Sequence, residues 1–184
     1  MDSAKVKELM VPLPQYALVS EDASLYEAVL ALEEAQRRFS PERARHRSIL
    51  VIDRNNRVVG KVDMWDILRG IEPRYRELGI PGEDPDYSPG SGYISAMLKT
   101  YGLWRRPLED MCGKAGIMNV REIMHPVHEA QYIGENSPVE EAIHQLLMGR
   151  HQSLLVTRGD DVVGILRLSD VFEEIGRHIK SSRN

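Results

Sequence analysis

The sequence predicts an α/β (α+β) fold: two pseudo-symmetric units, each a small sheet with helices on one face, packed sheet to sheet. Three observations predict it. Val6-Lys-Glu-Leu-Met-Val-Pro12 is echoed by Val120-Arg-Glu-Ile-Met-His-Pro126 at an offset of 114 positions, which also carries Glu27-Ala-Val29 onto Glu141-Ala-Ile143. Short β-branched runs alternate with stretches of helical period inside each copy. Finally, a unit of about sixty residues is marginal alone, so two copies burying each other's apolar faces is the natural solution.

The elements follow in order. Leu25, Val29, Leu32 and Phe39, with Ala28 and Ala35 between them, recur at helical spacing, and Glu33, Glu34, Gln36 and Arg37 supply polar cover. Ser24 with Glu27 reads as a capping box. Ile49–Ile52 and Arg57–Val62 are strand-like runs around the turn formers Asp53–Asn56, which spells a hairpin, and a closing helix runs from about Met64 to Gly70. In the second copy Ser137, Pro138 and Glu140 read as cap, first-turn proline and third-position acid. Leu154–Thr157, a turn at Arg158-Gly-Asp160 and Val162–Leu166 repeat the hairpin, and Leu168–Ile179 repeats the closing helix. Each copy is therefore strand, helix, strand, strand, helix, with boundaries at 1–71, a connector at 72–119, and 120–180. Ser48-Ile-Leu-Val51 answers Ser153-Leu-Leu-Val156 at an offset of 105, so the first copy holds an extra helical turn or loop. In the connector, a turn-rich acidic stretch around Glu83-Asp-Pro-Asp86 precedes an apolar segment from Tyr93 to Met111, read as a short helix with a break at Gly102 and Pro107. Trp104, Leu108 and Met111 are too apolar to stay in water as one patch, which implies packing on the paired units.

Composition narrows the function. With 24 Lys plus Arg against 28 Asp plus Glu, the chain lacks the electrostatic pull toward phosphate backbones, so no nucleic-acid partner is expected. The lone Cys112 excludes an internal disulfide and a cysteine zinc cluster. Its start, Met1 to Val6, has no signal-peptide core and no run is long enough to span a bilayer, so a cytoplasmic location off the membrane is expected.

In order and twice over, the opening Val-x-x-Leu/Ile-Met-x-Pro, the Glu-Ala helix, and a Val-Gly strand followed six positions later by Asp66 and Asp170 resemble the CBS domain, named for cystathionine β-synthase and usually found as tandem pairs. The resemblance covers about three quarters of the chain. It implies a Bateman module whose two clefts take adenosine-type ligands (AMP, ADP, ATP or S-adenosylmethionine). The late aspartates contact ribose, and a Thr or Ser three residues earlier contacts phosphate. It also implies a homodimer. Here that earlier position is Asp63 in one copy and Arg167 in the other. Asp63 caps a helix well but repels a phosphate, whereas the Arg167 fork suits one. A phosphate is therefore expected nearer Arg167, with Asp170 holding the ribose. Gly60 and Gly164 allow close backbone approach to a ligand. Pro12 and Pro126, His125 beside Pro126, and His46 and His151 before the central strands complete the candidate ligand-binding residues.

Other motifs are discounted. His125-Pro-Val-His128 has a proline inside and no acidic or thiol companion in sequence, so no metal site is expected. Glu33-Glu34 and Glu140-Glu141 point to different parts of a helix surface, Gly90-Ser-Gly92 lacks the strand and Lys-Ser/Thr pair of a phosphate loop, and no Ser, Cys or Lys is placed as an activated nucleophile. The expectation is a stand-alone regulatory module, not an enzyme, with no required cofactor, that senses an adenosine-type ligand and signals to an unknown protein effector. The alternative is a structural or oligomerisation module that has lost nucleotide binding.

Overall fold

The computed structural model describes residues 4–39, 43–78 and 90–182. A single helical turn, α1 (Val6–Leu9), and a two-residue strand, β1 (Val11–Pro12), open the chain. The first unit follows as β2 (Leu18–Ser20), α2 (Leu25–Arg38), β3 (Ser48–Ile52), β4 (Val58–Asp63) and α3 (Met64–Ile71). The connector carries one turn, α4 (Arg74–Glu77), then α5 (Ser91–Thr100) and α6 (Leu108–Gly116). The second unit is β5 (Tyr132–Gly134), α7 (Val139–Gly149), β6 (Ser153–Arg158), β7 (Asp161–Arg167) and α8 (Leu168–Ser181). The predicted element order is thus present twice. The acidic stretch Glu83–Asp86 lies outside the described residues.

Local chemistry explains the boundaries. Ser24 Oγ accepts from Glu27 N at 3.2 Å while Ser24 N donates to Glu27 Oε2 at 2.7 Å, a reciprocal cap that starts α2. In the second copy the N-cap is Pro138, the repeat equivalent of Ser24, so Ser137 lies one residue too early and makes no such bond. The helix α2 buries Leu25 and Ala28, with Leu32 and Ala35 against the same core; Val29, expected on that face, is exposed. The first hairpin turns on Asp53, whose Oδ1 accepts from Asn55 N at 2.8 Å and Arg57 N at 2.9 Å, and the second on Gly159 at φ +60°.

Two sheets result, β2-β3-β4 and β1-β7-β6-β5. In each, the crossover helix makes the first pair parallel and the hairpin makes the second antiparallel. The outer edge of each hairpin is covered by the opening segment of the opposite copy. Val11 pairs with Ile165 and Pro12 with Gly164, while Lys61 and His125 exchange backbone bonds of 3.0 Å in both directions. The same exchange ties the helix starts, with Val6 N donating to Ser137 O and, at equivalent positions, Val120 N to Ala23 O. Val11, Leu50, Leu155 and Ile165 then form a core shared by the two sheets.

The connector is two helices around a break rather than one short helix. Met111 and Ala115 of α6 are buried, Ala115 in the core of the first unit, but Leu108 is exposed and α5 buries no residue. Among the described residues from Tyr93 to Met111, side-chain packing is therefore confined to Leu103 and the residues that follow it. At the break, Trp104 N donates to the buried Glu72 and its Nε1 donates to Tyr75 Oη at 3.0 Å, with Trp104 in the left-handed region at φ +55°.

Candidate functional site

Each late aspartate lies in the first turn of a closing helix, where the preceding strand ends against the opposite copy. In the first cleft Asp63 caps α3: its Oδ1 accepts from Asp66 N at 3.0 Å, and its own N–H donates to Asp66 Oδ2 at 2.8 Å. His125 Nδ1 donates to the same Asp66 Oδ2 at 2.7 Å, from a side chain that is 34% exposed. Burial pushes the Asp66 carboxyl up, but the hydrogen bonds from His125 and from Asp63 N–H outweigh it and hold the group below its ordinary value. Beside them Lys61 is buried, its Nζ donating to Ser153 Oγ at 3.3 Å. Burial pushes this ammonium below its ordinary range while Asp63 and Asp66 pull it back. His151 lies within reach of the Lys61 charge, and burial lowers its imidazole too.

The second cleft is built from equivalent positions but wired differently. Arg167 is buried and turns back on Asp170, with Nε donating to Oδ2 at 2.7 Å and Nη2 to Oδ1. Arg167 N also donates to Oδ2, and Arg43 Nη2 donates to Oδ1 at 2.7 Å. The remaining Arg167 nitrogen, Nη1, donates to Ala44 O at 2.6 Å and to His46 Nδ1 at 3.2 Å. Tyr16 and Phe39 close around the imidazole, with ring centroids at 4.5 and 4.4 Å. Burial, with the Arg167 charge behind it, pushes His46 down to about 4. Both guanidiniums lie over the Phe39 ring, at 5.0 and 5.1 Å.

Three sequence expectations change. Arg167 does not present its fork to a phosphate; it is half of a buried ion pair. Gly60 and Gly164 do serve close approach, but to protein: a Cβ on Gly60 would meet Met124 Sδ at 2.7 Å and His125 O at 3.1 Å, and one on Gly164 would meet Val11 O at 2.7 Å. His125 has acidic companions after all, from the opposite copy. Asp63, Asp66 and His125 each place one ligand-type atom within 4.8 Å of the others, whereas His128 N donates to Gln131 Oε1 outside that cluster. The structure therefore brings Asp63, Asp66, Gly60 and His125 together in one cleft, and Arg167, Asp170 and His46 in the other. Pro12 lies on the strand beside Gly164, and Pro126 follows His125. A hollow of about 410 Å³ lined by Glu135, Ser137, Thr157 and Arg158 contains none of the predicted site residues. Sequence reasoning missed Arg43, Phe39, Lys61 and Ser153.

The sequence matches the CBS domain at residues 6–73 and 120–177, once per copy and more than half of the chain. The chain belongs to the CBS domain family. No curated protein matches it. Solved structures share its fold at low identity. CBSX2 in complex with AMP is 21% identical, with a TM-score of 0.57 over 94% of this chain and 96% of that one. The CBS-pair protein CBSX2 from Arabidopsis thaliana is 18% identical, with a TM-score of 0.60 over 100% and 99%. Protein MJ1004 from Methanocaldococcus jannaschii is 19% identical, with a TM-score of 0.57; the match covers 95% of this chain and 60% of that longer one. No helix among the described residues is long and apolar enough to cross a membrane.

Proposed function

We propose that this CBS pair is a regulatory module that binds an adenosine-type ligand (AMP, ADP, ATP or S-adenosylmethionine) and relays its presence to a protein effector, without catalysis and with no required cofactor. The observation that carries the reading is Asp66. Both of its bonds from His125 and Asp63 fall on Oδ2, and among the described residues Oδ1 receives none, which leaves acceptor capacity for ribose hydroxyls. A structural neighbour, CBSX2, is known in complex with AMP. The test is thermal melting and calorimetry with the four ligands. A ligand at about 100 times its Kd adds about 2.7 kcal/mol of apparent stability, and Asp66→Asn is expected to weaken binding at least tenfold. If none of the four moves the melting curve, the ligand reading fails. That result would favour the second reading, an assembly module without a ligand, for which the fully engaged Asp170 speaks.

The module is proposed to act in the cytoplasm as a homodimer. Met64 and Leu68 of α3 and their repeat equivalents Leu168 and Phe172 of α8 are all exposed, with Trp65 beside them. Apolar rows repeated on both closing helices suit an isologous contact between two chains. Light scattering is expected to give a mass of two chains; a concentration-independent mass of one overturns the dimer.

A further inference from the structure

The first copy is longer than the second between its crossover helix and its central strand: the repeat offset falls by nine positions there. The helix α2 takes three of them, running to Arg38 where the equivalent of Gly149 would be position 35. The rest form the stretch that leads to His46. Phe39 and Arg43 belong to this excess and have no counterpart in the second copy. Both reach across to the opposite unit, where Arg43 meets Asp170 and Phe39 lies under the Arg167 guanidinium.

The contacts account for the whole carboxylate. A carboxylate has about four acceptor positions, and Asp170 receives Arg167 N and Nε on Oδ2 and Arg167 Nη2 and Arg43 Nη2 on Oδ1. Its side chain is 1% exposed. Arg43 is held in turn by Leu9 O at 3.1 Å, and Ala44 N donates to Glu173 Oε1 at 3.2 Å on α8. The excess segment is thus tied to the N-terminal turns of α8 from two directions. In the first cleft the corresponding segment of the second copy is nine residues shorter, and Asp66 Oδ1 receives no bond from the described residues.

We infer that Phe39 and Arg43 of the first copy are internal occupants of the second cleft, Arg43 taking the one acceptor position on Asp170 that Arg167 leaves for a ribose and Phe39 covering the guanidiniums, so that the pair has one ligand cleft, at Asp66. This rests on the ligand reading above for the identity of the occupant of the first cleft, but the closure of the second is a property of the chain alone. The asymmetry is opposite to the one expected from the signs of Asp63 and Arg167. The Arg167 fork is spent on Asp170 within the protein and is not presented to a phosphate.

Two measurements test it on the full-length protein. Calorimetry with AMP is expected to give one equivalent per chain, weakened at least tenfold by Asp66→Asn. Arg43→Ala is expected to bind a second equivalent that survives in the Arg43→Ala/Asp66→Asn double variant. The second measurement needs no nucleotide: carbodiimide labelling of Asp170, read by mass spectrometry, is expected to rise at least fivefold in Arg43→Ala. Arg43→Gln, which keeps part of the side-chain stem, serves as the milder variant should the alanine protein fold poorly. Two equivalents of AMP in the unmodified protein, or one equivalent bound by Asp66→Asn at unchanged affinity, overturns the inference, as does labelling of Asp170 that Arg43→Ala and Arg43→Gln both leave unchanged. If AMP binds no variant while labelling rises, the ligand reading fails and the closed second cleft stands.

Discussion

At Asp66 one histidine and one backbone N–H share a single carboxylate oxygen, whereas at Asp170 two guanidiniums and a backbone N–H occupy both. The two positions are repeat equivalents on equivalent helices, with equivalent glycines six residues before them. Their divergence comes from three substitutions and one length change: Asp63 against Arg167, Lys61 against Ile165, His125 against Val11, and the excess that carries Phe39 and Arg43. A duplicated scaffold fixes where a carboxylate sits. Its partners decide whether that carboxylate is available to a ligand or serves as structural glue.

The comparison breaks most visibly if the two aspartates are removed in turn. Asp170→Ala leaves Arg167 buried without its counter-charge, and a loss of about 3–5 kcal/mol is expected, the range for orphaning one member of a buried pair. Asp66→Ala removes hydrogen bonds to a half-exposed histidine and a helix cap, and about 1 kcal/mol is expected. Urea unfolding of both variants checks the ratio; equal losses would mean that the second cleft is no more structural than the first.

Acid sharpens the same contrast. The His46 imidazole titrates near 6.5 when unfolded and about 4 when folded, so between those values the unfolded chain binds more protons. Stability is complete above the unfolded value and falls as pH drops toward the folded one. From pH 7 to pH 5 the loss is about 2 kcal/mol, at about 1.4 kcal/mol per unit. The Asp66 carboxyl, held below 3.8, keeps its contribution through that window and yields it only on further acidification. Denaturant midpoints at pH 7 and pH 5, with and without His46→Gln, are expected to show the slope and its disappearance.

Smaller effects separate the two edge glycines. Gly164→Ala drives a methyl against Val11 O, a backbone atom, and is expected to cost about 1–3 kcal/mol. Gly60→Ala first meets the flexible Met124 thioether and is expected near the lower end, about 1 kcal/mol. Thermal unfolding would show both, and a larger loss at Gly60 would reverse the order of packing. Smallest is Asp63→Ala, which removes the α3 cap while leaving the second cleft intact, at about 1 kcal/mol.

Much of the fold was legible because its signals are local. The repeated Val-x-x-Leu/Ile-Met-x-Pro, the alternating hairpin runs and the Ser24–Glu27 pair each lie within a few residues of what they specify. The exchange of Val11 and His125 between copies was not, since edge pairing leaves no mark on neighbouring residues. The partners of His125 were missed for the same reason: Asp66 lies 59 positions away. The Arg167–Asp170 pair was not foreseen, because a guanidinium that suits phosphate suits a carboxylate three residues on equally well. One signal of the closed cleft was present, the drop in repeat offset ahead of His46, but nothing in the spacing says where Phe39 and Arg43 point.

The exchanged opening segments also set a timetable for synthesis. As the chain leaves the ribosome, β4 is complete long before His125, the residue that covers its outer edge, has been joined. Val11 and Pro12 emerge long before their partners Ile165 and Gly164. The first hairpin therefore carries an open edge until His125 has been made, the feature that invites pairing with other chains, and β1 waits without its partner until β7 follows. A duplication that looks in sequence like two consecutive domains is, for the folding chain, a single late event.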